Sequence, residues 1–311
     1  MYRLQPHRTI AHEVTRIADK QLMLALFGLR RGGTPSGDDA VDEACRHITK
    51  VRALMRLVRP ALDDDTYIPA NRRLGTVSRR LTPIADGRAA LGALTRLAVE
   101  RGAFNAVVAV QSIREALAAR AARVDRKAVF DRVLPRSVKL LSIERARVGT
   151  WMLDARDIRA IAPGLADSVR HSRAAMARAI ERPTVARYDT WRRRAKDLCL
   201  QVHLVEGRCT RLGALRARLD ALDDCLDGCH SIALLERMLA REGLGSRRDT
   251  ATVLRLLRHE QAGLRVRALT LGRAALRDTP RQFVQRVARG WRADRVPGRA
   301  GSKARRVRPA A

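Results

Sequence analysis

Hydrophobic and polar residues alternate along most of the chain with the period of an amphipathic α-helix. Apolar side chains recur every three or four residues in segments that proline and glycine separate. The pattern predicts helices at 11–29, 38–59, 70–81, 84–100 and 103–122, followed by a second set after Pro163. We therefore predict an all-α fold.

The segment 38–59 shows this period most clearly. Its predicted buried face consists of Ala44, Ile48, Val51, Met55 and Val58. The opposite arc is charged, and it carries Asp42, Arg46 and Arg56, with Lys50 and Arg52 at its margins. A single charged arc is usually a solvated helix face, so this one alone does not define a site.

The segment 184–205 repeats the arrangement. Its apolar positions are Trp191, Ala195, Leu198, Val202 and Val205, and its polar positions are Asp189, Arg192, Arg193, Lys196 and His203. We expect Trp191 in the core rather than on a stacking surface, because it shares the apolar face. Two matching basic arcs are harder to explain as solvated surface than one.

Similar sequences follow the two segments, IADGRAAL at 84–91 and LDGCHSIALL at 226–235, and we interpret both as helix starts. This likeness predicts an internal duplication, with two helical bundles packed around a basic central groove or tunnel. The predicted divisions are an N-terminal extension (1–10), a helical domain (11–293) and a disordered basic tail (294–311). Within the domain, repeat one covers about 11–125, the crossover about 126–163 and repeat two about 164–293.

The charge of the chain indicates its partner. Lys and Arg number 63 against 32 Asp and Glu, which gives a formal net charge of +31 at pH 7, and the arginines recur throughout the helical segments. Such a surface favours a polyanion. No apolar run is long enough for a membrane span and no secretion signal is present, so we expect a cytoplasmic protein without membrane insertion.

Motifs of the common catalytic and metal sites are missing. The loop GLRRGGTPSG at 28–37 lacks the GKS/T ending of a nucleotide-binding loop, and there is no H-E-x-x-H or E-x-E-x-K. The carboxylates of ALDDD (61–65) and LDALDD (219–224) are interpreted as solvated turns or helix-end charges. We expect no enzymatic activity and no cofactor.

The five cysteines are an odd number scattered through the chain, which predicts reduced thiols rather than a disulfide framework. Cys225, Cys229 and His230 lie close together on one predicted helix, but a fourth ligand at zinc-finger spacing is missing. No metal site is therefore expected. His230 is open to three interpretations: a helix-start histidine bonded to backbone, a phosphate donor that strengthens below a pKa near 6.5, or a metal ligand.

In their order, these segments resemble the CHAD family, the conserved histidine α-helical domain. The resemblance rests on VDEACRHITKVRALMRLVRP (41–60), YDTWRRRAKDL (188–198) and LDGCHS (226–231), and it extends from about residue 10 to LRDTPRQFVQRVARGWRA at 276–293. It implies a non-enzymatic helical module that binds inorganic polyphosphate along a basic central channel, often at polyphosphate granules.

The resemblance also implies roles for the basic residues at matching positions. These are Arg46, Lys50 and Arg52 in the first repeat, Arg192, Arg193, Lys196 and His230 in the second, and Arg73 and Arg173 in weaker local matches. Arg56, on the same arc as Arg46, completes the candidate polyphosphate-binding set.

The chain departs from the family pattern at several of these positions. Asp42 and Asp189 stand where the family has histidines, and the other differences are at Cys45, Thr49, Ala85 and Ser231. An aspartate four residues before Arg46 or Arg193 can pair with that arginine and compete with phosphate.

Two alternative functions stay open. Non-specific binding of RNA or DNA would also use arginines on a phosphate backbone, although the few aromatic residues offer little stacking surface for single strands. The other alternative is an accessory module of a triphosphate-processing system, because the family is sometimes fused to triphosphate-processing domains.

Overall fold

The computed structural model describes residues 2–31, 37–100, 104–123, 126–153, 157–242, 244 and 246–293. Within these ranges it contains ten α-helices and no β-strand, which confirms the all-α prediction. The helices are α1 (Ile10–Arg31), α2 (Gly37–Leu57), α3 (Asp64–Glu100), α4 (Phe104–Arg123), α5 (Arg126–Val148), α6 (Ala162–Glu181), α7 (Val185–Glu206), α8 (Gly213–Glu242), α9 (Arg247–Ala275) and α10 (Pro280–Ala293). Among the described helices, none combines the length and the apolar composition that crossing a membrane requires. The predicted tail and half of the predicted loop at 28–37 lie outside the described residues.

The predicted buried faces of the two basic helices are confirmed. All five apolar positions of α2 are fully buried, and those of α7 are at most 1% exposed. Trp191 is fully buried, as expected of a core residue. A close neighbour across the core is Gly272 of α9, where a Cβ would lie 2.7 Å from the Trp191 ring.

Helix α3 joins two segments that we predicted as separate helices. Proline lacks an N–H and crowds the preceding turn, so Pro83 indicated a break between 81 and 84. The structure instead keeps Pro69 and Pro83 inside one helix. Leu81 before the second proline and Ala90 after it are both fully buried, against helices α2 and α5 on one side and α8 on the other. The packing on both sides of Pro83 therefore outweighs the cost of placing a proline inside a helix.

The two predicted helix starts are also wrong, since 84–91 lies inside α3 and 226–235 lies inside α8. Glycine indicated a break at each place, but one glycine costs a helix only about 1 kcal/mol relative to alanine. At Gly228 the missing side chain allows α9 to approach, because a Cβ there would lie 2.9 Å from Leu264 Cδ1. His230 is consequently a mid-helix residue and not a helix-start histidine.

The predicted crossover contains a complete helix, α5, which packs against α1 and α3. An ion pair between Arg145 Nε and Asp19 Oδ1, 2.7 Å apart, joins α5 to α1. Helix α5 thus belongs to the packing of the N-terminal helices. The internal duplication and its boundaries stay a prediction.

Two hydrophobic cores hold the helices together. The larger one combines residues from most of the helices, including Val51 of α2 and Leu198 of α7. The smaller one lies among α3, α4, α8 and α9 around Leu94, Leu235 and Leu257. Each core draws on both predicted halves, because α2 packs directly against α7 and α3 against α8. This packing places the basic arcs of α2 and α7 side by side.

The close approach of α6 to α2 depends on Gly164. This residue is buried in the first turn of α6, and a Cβ built there would overlap the carbonyl oxygen of Leu57 at the end of α2. The obstructing atom belongs to the backbone, so no side-chain rotation could relieve the overlap.

We predict that Gly164→Ala lowers the free energy of unfolding by about 1–3 kcal/mol, the usual cost of overpacking a core. The matched control is Gly263→Ala in α9, where no atom lies within 4 Å of the added Cβ. This control should raise stability by up to about 1 kcal/mol through helix propensity. Urea denaturation followed by circular dichroism measures both, and an unchanged Gly164→Ala midpoint would contradict the packing described.

Candidate polyanion-binding site

A pocket of about 480 Å³ lies where α2, α3 and α7 meet. Its lining consists of Thr49, Arg52 and Arg56 from α2, Ser78 from α3, and Thr190, Arg192, Arg193, Arg194, Lys196 and Asp197 from α7. Six basic side chains and three hydroxyls therefore surround a space whose lining contains one carboxylate. The arrangement suits an anionic ligand.

Two buried contacts fix α2 against α7 at the pocket. Gln201 Nε2 donates to the carbonyl oxygen of Ala53 at 3.1 Å. Arg56 Nη1 lies 2.8 Å from Oδ1 of Asp197, whose side chain is 10% exposed. Burial raises the pKa of Asp197, and the neighbouring Arg56 opposes that rise. The one carboxylate of the lining is thus already engaged by a cation of the pocket.

Behind the pocket, aspartates of α8 bind the cations of α7. Lys196 Nζ lies 2.9 Å from Asp227 Oδ2 and also contacts Asp223. Arg192 Nη1 lies 3.1 Å from Asp227 Oδ1, and its Nη2 lies 2.9 Å from Asp189 Oδ1. Burial alone would lower the pKa of Lys196, but Asp227 and Asp223 raise it above its ordinary value. These pairs keep both cations charged and fixed in position.

Two pocket cations have no carboxylate partner. Within the described part of the chain, neither Arg52 nor Arg194 forms an ion pair; Arg52 instead donates to Asn71 Oδ1 at 3.4 Å. Burial, together with the charge of Arg56, lowers the pKa of Arg52. Gly75 leaves room beside this guanidinium, since a Cβ there would lie 3.7 Å from Arg52 Nη2. Asp197 stabilises the charge of both arginines without forming a close ion pair with either, so positive charge is least compensated at Arg52 and Arg194.

A second, smaller pocket of about 180 Å³ adjoins the first and shares Arg56, Arg194 and Asp197 with it. It extends towards α6, where its lining includes Arg59 and His171. The lining also contains Asp167, so it is less basic than that of the first pocket, but arginines continue beyond the first pocket, as an extended ligand would require.

Five of the ten predicted site residues line the first pocket. These are Arg52, Arg56, Arg192, Arg193 and Lys196. Arg46 and Lys50 lie on α2 outside its lining, and the Lys50 ammonium lies 5.6 Å from the centre of the Tyr2 ring.

The other three predicted residues have partners within the protein. Arg73 Nε lies 2.6 Å from Oε2 of the fully buried Glu144, an ion pair that joins α3 to α5. Arg173 donates to main-chain carbonyl oxygens just beyond the end of α9, among them that of Asp278 at 3.0 Å. Both arginines thus hold helices together, and neither lines the pocket.

His230 bridges three helices instead of lining the pocket. Its Nδ1 lies 3.2 Å from Asp189 Oδ1 on α7, and its Nε2 lies 3.7 Å from Asp86 Oδ1 on α3. Burial lowers the pKa of His230, but the two carboxylates raise it more, so the net shift is upward. The protonated ring is therefore favoured between the two aspartates.

The aspartates that replace the family histidines are ion-paired. Asp189 Oδ2 lies 3.3 Å from Arg193 Nη2, which confirms the predicted pair, and Asp42 Oδ2 lies 3.2 Å from Arg88 Nε on α3. Contacts with His230, Arg192 and Arg193 lower the pKa of Asp189, because all three stabilise its charged form. Its negative charge is balanced inside the protein.

Sequence reasoning missed several parts of this site. Arg194 follows two recognised arginines but matched no family position, and Thr190 and Ser78 have no distinguishing pattern. The placement of LDALDD in turns or at helix ends is wrong, because these aspartates lie inside α8. Asp224 is exposed as predicted, but Asp223 is only 8% exposed. The spacing of the α8 aspartates on one predicted helix face could have indicated partners for α7.

Cys225, Cys229 and His230 do not form a metal-binding group in the described part of the chain. Both thiols are buried, and burial raises their pKa values, that of Cys229 to about 12. The His230 ring is directed to Asp189 and Asp86 instead.

Fold and pocket together define an all-α protein with a concentrated basic cavity between packed helices. The family model described as CHAD domain matches residues 25–240, about two thirds of the chain. The chain therefore belongs to the CHAD family. The match includes all three helices that line the pocket, whereas the resemblance of 276–293 stays a prediction. No curated protein and no solved structure matches the chain.

We predict that His230 stabilises the fold more at low pH than at high pH. Its pKa is higher in the folded protein than in the unfolded chain, so its stabilising contribution is complete below about pH 6.5 and is lost as the pH rises through the folded-state value. The stability difference between wild type and His230→Gln should be larger at about pH 5.5 than at about pH 9.

Chemical denaturation at the two pH values measures this difference. The control is His259→Gln, which changes an exposed histidine of α9 and should alter stability by less than about 0.5 kcal/mol. A difference for His230→Gln that stays constant with pH would show that the ring is not charged between the aspartates.

Proposed function

We propose that this protein binds inorganic polyphosphate without transforming it, through the basic pocket between α2, α3 and α7. The observation that carries the proposal is the lining of that pocket, in which six cations and three hydroxyls accompany one carboxylate. Membership of the CHAD family supports the same ligand class, since the family resemblance implies polyphosphate binding.

Arginine suits this ligand because its planar guanidinium can donate to two phosphate oxygens at once. In the part of the chain that the structure describes, neither Arg52 nor Arg194 forms an ion pair that binding would have to break, so these two arginines would contribute most to affinity. Aspartates hold Arg192 and Lys196 in place. These two cations would contribute to affinity because they need not be ordered when the ligand binds. The three hydroxyls can supply weaker hydrogen bonds to bridging or terminal oxygens.

The adjoining pocket supports an extended ligand rather than a single phosphate. Because both pockets share Arg56 and Arg194, a linear chain could contact cations of both at once. Each further contact is then intramolecular, and affinity should rise with chain length. A duplex is too wide to enter a pocket of this size, whereas a single chain of phosphates is narrow.

The state of the carboxylate in the pocket lining supports binding without catalysis. Asp197, the carboxylate of the lining, is paired with Arg56 and is therefore poorly placed to act as a base or metal ligand. We accordingly propose a binding module rather than a hydrolase. As the family resemblance implies, its location would be the polyphosphate granules of the cytoplasm.

We predict that the double variant Arg52→Gln/Arg194→Gln weakens binding of long-chain polyphosphate at least about a hundredfold, because two charge-assisted hydrogen-bond donors are lost at about 1.5–3 kcal/mol each. The matched control is Arg255→Gln/Arg258→Gln, which removes the same charge from exposed positions of α9 outside both pocket linings. The control should change affinity less than about twofold, because these arginines act on the ligand only through long-range electrostatics, which salt screens.

Fluorescence titration with labelled polyphosphate at constant salt measures both variants, and their melting temperatures establish that each is folded. Equal losses in the two double variants would show that net charge alone holds the ligand. Polyphosphate recovered from the wild-type complex should keep its original length on a gel; shortening would contradict the non-enzymatic part of the proposal.

A further inference from the structure

A cluster of three potential metal ligands lies between α7 and α8, outside the linings of both basic pockets. Cys199 and His203 are one turn apart on α7, and Asp220 faces them from α8. Asp220 Oδ1 lies 3.2 Å from Cys199 Sγ and 2.7 Å from His203 Nε2. One sulfur, one nitrogen and one oxygen ligand atom thus lie within 4.8 Å of one another.

These separations approach those of a tetrahedral metal site. Zinc bonds of about 2.0–2.3 Å place neighbouring ligand atoms roughly 3.3–3.7 Å apart. The two distances from Asp220 are shorter because hydrogen bonds, rather than a metal ion, connect it to Cys199 and His203. Lengthening these two separations by roughly half an ångström, with Cys199 and His203 already within 4.8 Å of each other, would admit the ion.

We propose that Cys199, His203 and Asp220 bind one divalent transition-metal ion of the zinc type, with solvent as the fourth ligand. A thiolate and an imidazole prefer such ions to magnesium or calcium, which favour oxygen ligands throughout. The proposal does not rest on polyphosphate binding, because the three residues line neither basic pocket.

The surroundings of the cluster support this assignment. Arg216 Nη1 lies 3.6 Å from the other oxygen of Asp220, Oδ2, and therefore holds Oδ1 towards the cysteine and the histidine. Such outer contacts orient ligands in metal sites. The nearest lysine on α7, Lys196, is bound by Asp223 and Asp227, so its repulsion of a cation is largely balanced.

An ion can reach the cluster from solvent. Residue Cys199 is 3% exposed, whereas the side chains of His203 and Asp220 are 31% and 36% exposed. Binding would release the thiol proton and leave the His203 ring with its remaining proton on Nδ1. Burial and the carboxylates of Asp223 and Asp220 raise the pKa of the Cys199 thiol. Protons therefore compete with the metal for this sulfur, and affinity should fall as the pH is lowered.

Cobalt titration of the full chain under reducing conditions tests the site, since a tetrahedral cobalt thiolate gives visible d–d bands and an ultraviolet charge-transfer band. We expect both bands to saturate at one cobalt per chain and to disappear when zinc is added. Cys199→Ser should abolish the charge-transfer band and lower zinc affinity at least about tenfold. The matched control Cys225→Ser removes another buried thiol outside the cluster and should leave the bands unchanged.

Absence of the bands at excess cobalt would overturn the proposal, as would equal bands in Cys199→Ser and Cys225→Ser. If Cys199→Ser does not fold, His203→Gln provides the same test at a partly exposed position. Its d–d bands should weaken or shift; an unchanged spectrum would exclude His203 as a ligand. Zinc should also raise the melting temperature of wild type but not of His203→Gln, because the ion would join α7 to α8.

Discussion

The ion pairs between α7 and α8 are the interaction on which the basic pocket depends. Helix α7 carries three consecutive arginines and a lysine within five residues, on a chain whose formal net charge is already +31. Partly buried cations destabilise a fold unless opposite charges and hydrogen bonds balance them. Asp223 and Asp227 of α8 supply that balance for Lys196 and Arg192, so the positive charge of α7 can lie against α2.

This arrangement divides the pocket cations into two groups. Arg56, Arg192, Arg193 and Lys196 are ion-paired with carboxylates, which fixes the shape of the pocket before any ligand arrives. Among the described residues, Arg52 and Arg194 have no such ion pair, and they carry the positive charge that a ligand would neutralise. A preorganised frame with a few unpaired charges lowers the ordering cost of binding.

The replacement of a family histidine by Asp189 fits the same logic. An aspartate facing the pocket would repel phosphate, but this one contacts His230, Arg192 and Arg193. Its negative charge therefore stabilises cations within the protein. His230 in turn connects α7 and α8 to α3 through Asp86. The histidine at this family position therefore holds helices together instead of lining the basic pocket.

Periodicity was sufficient to predict α2 and α7, because one face of each helix is almost entirely apolar and the other charged. It also identified five of the pocket residues, which follow from those two helices alone. The continuity of α3 through Pro83 could not be predicted, since burial on both sides of the proline is a tertiary effect. Likewise, no local pattern shows that Arg73 pairs with Glu144, because the two residues come from distant helices. The spacing of the α8 aspartates indicates a charged face, but not that Asp223 would meet Lys196.

The most direct measurement is a competition titration of labelled long-chain polyphosphate on the wild-type protein at near-physiological salt. Unlabelled polyphosphate, duplex DNA, single-stranded RNA and orthophosphate would be added at matched charge. If the pocket between α2, α3 and α7 is the binding site, unlabelled polyphosphate will displace the label far better than either nucleic acid or orthophosphate. Equal displacement by nucleic acid would contradict the account, because it would show that the overall positive surface holds the ligand and the pocket does not select it.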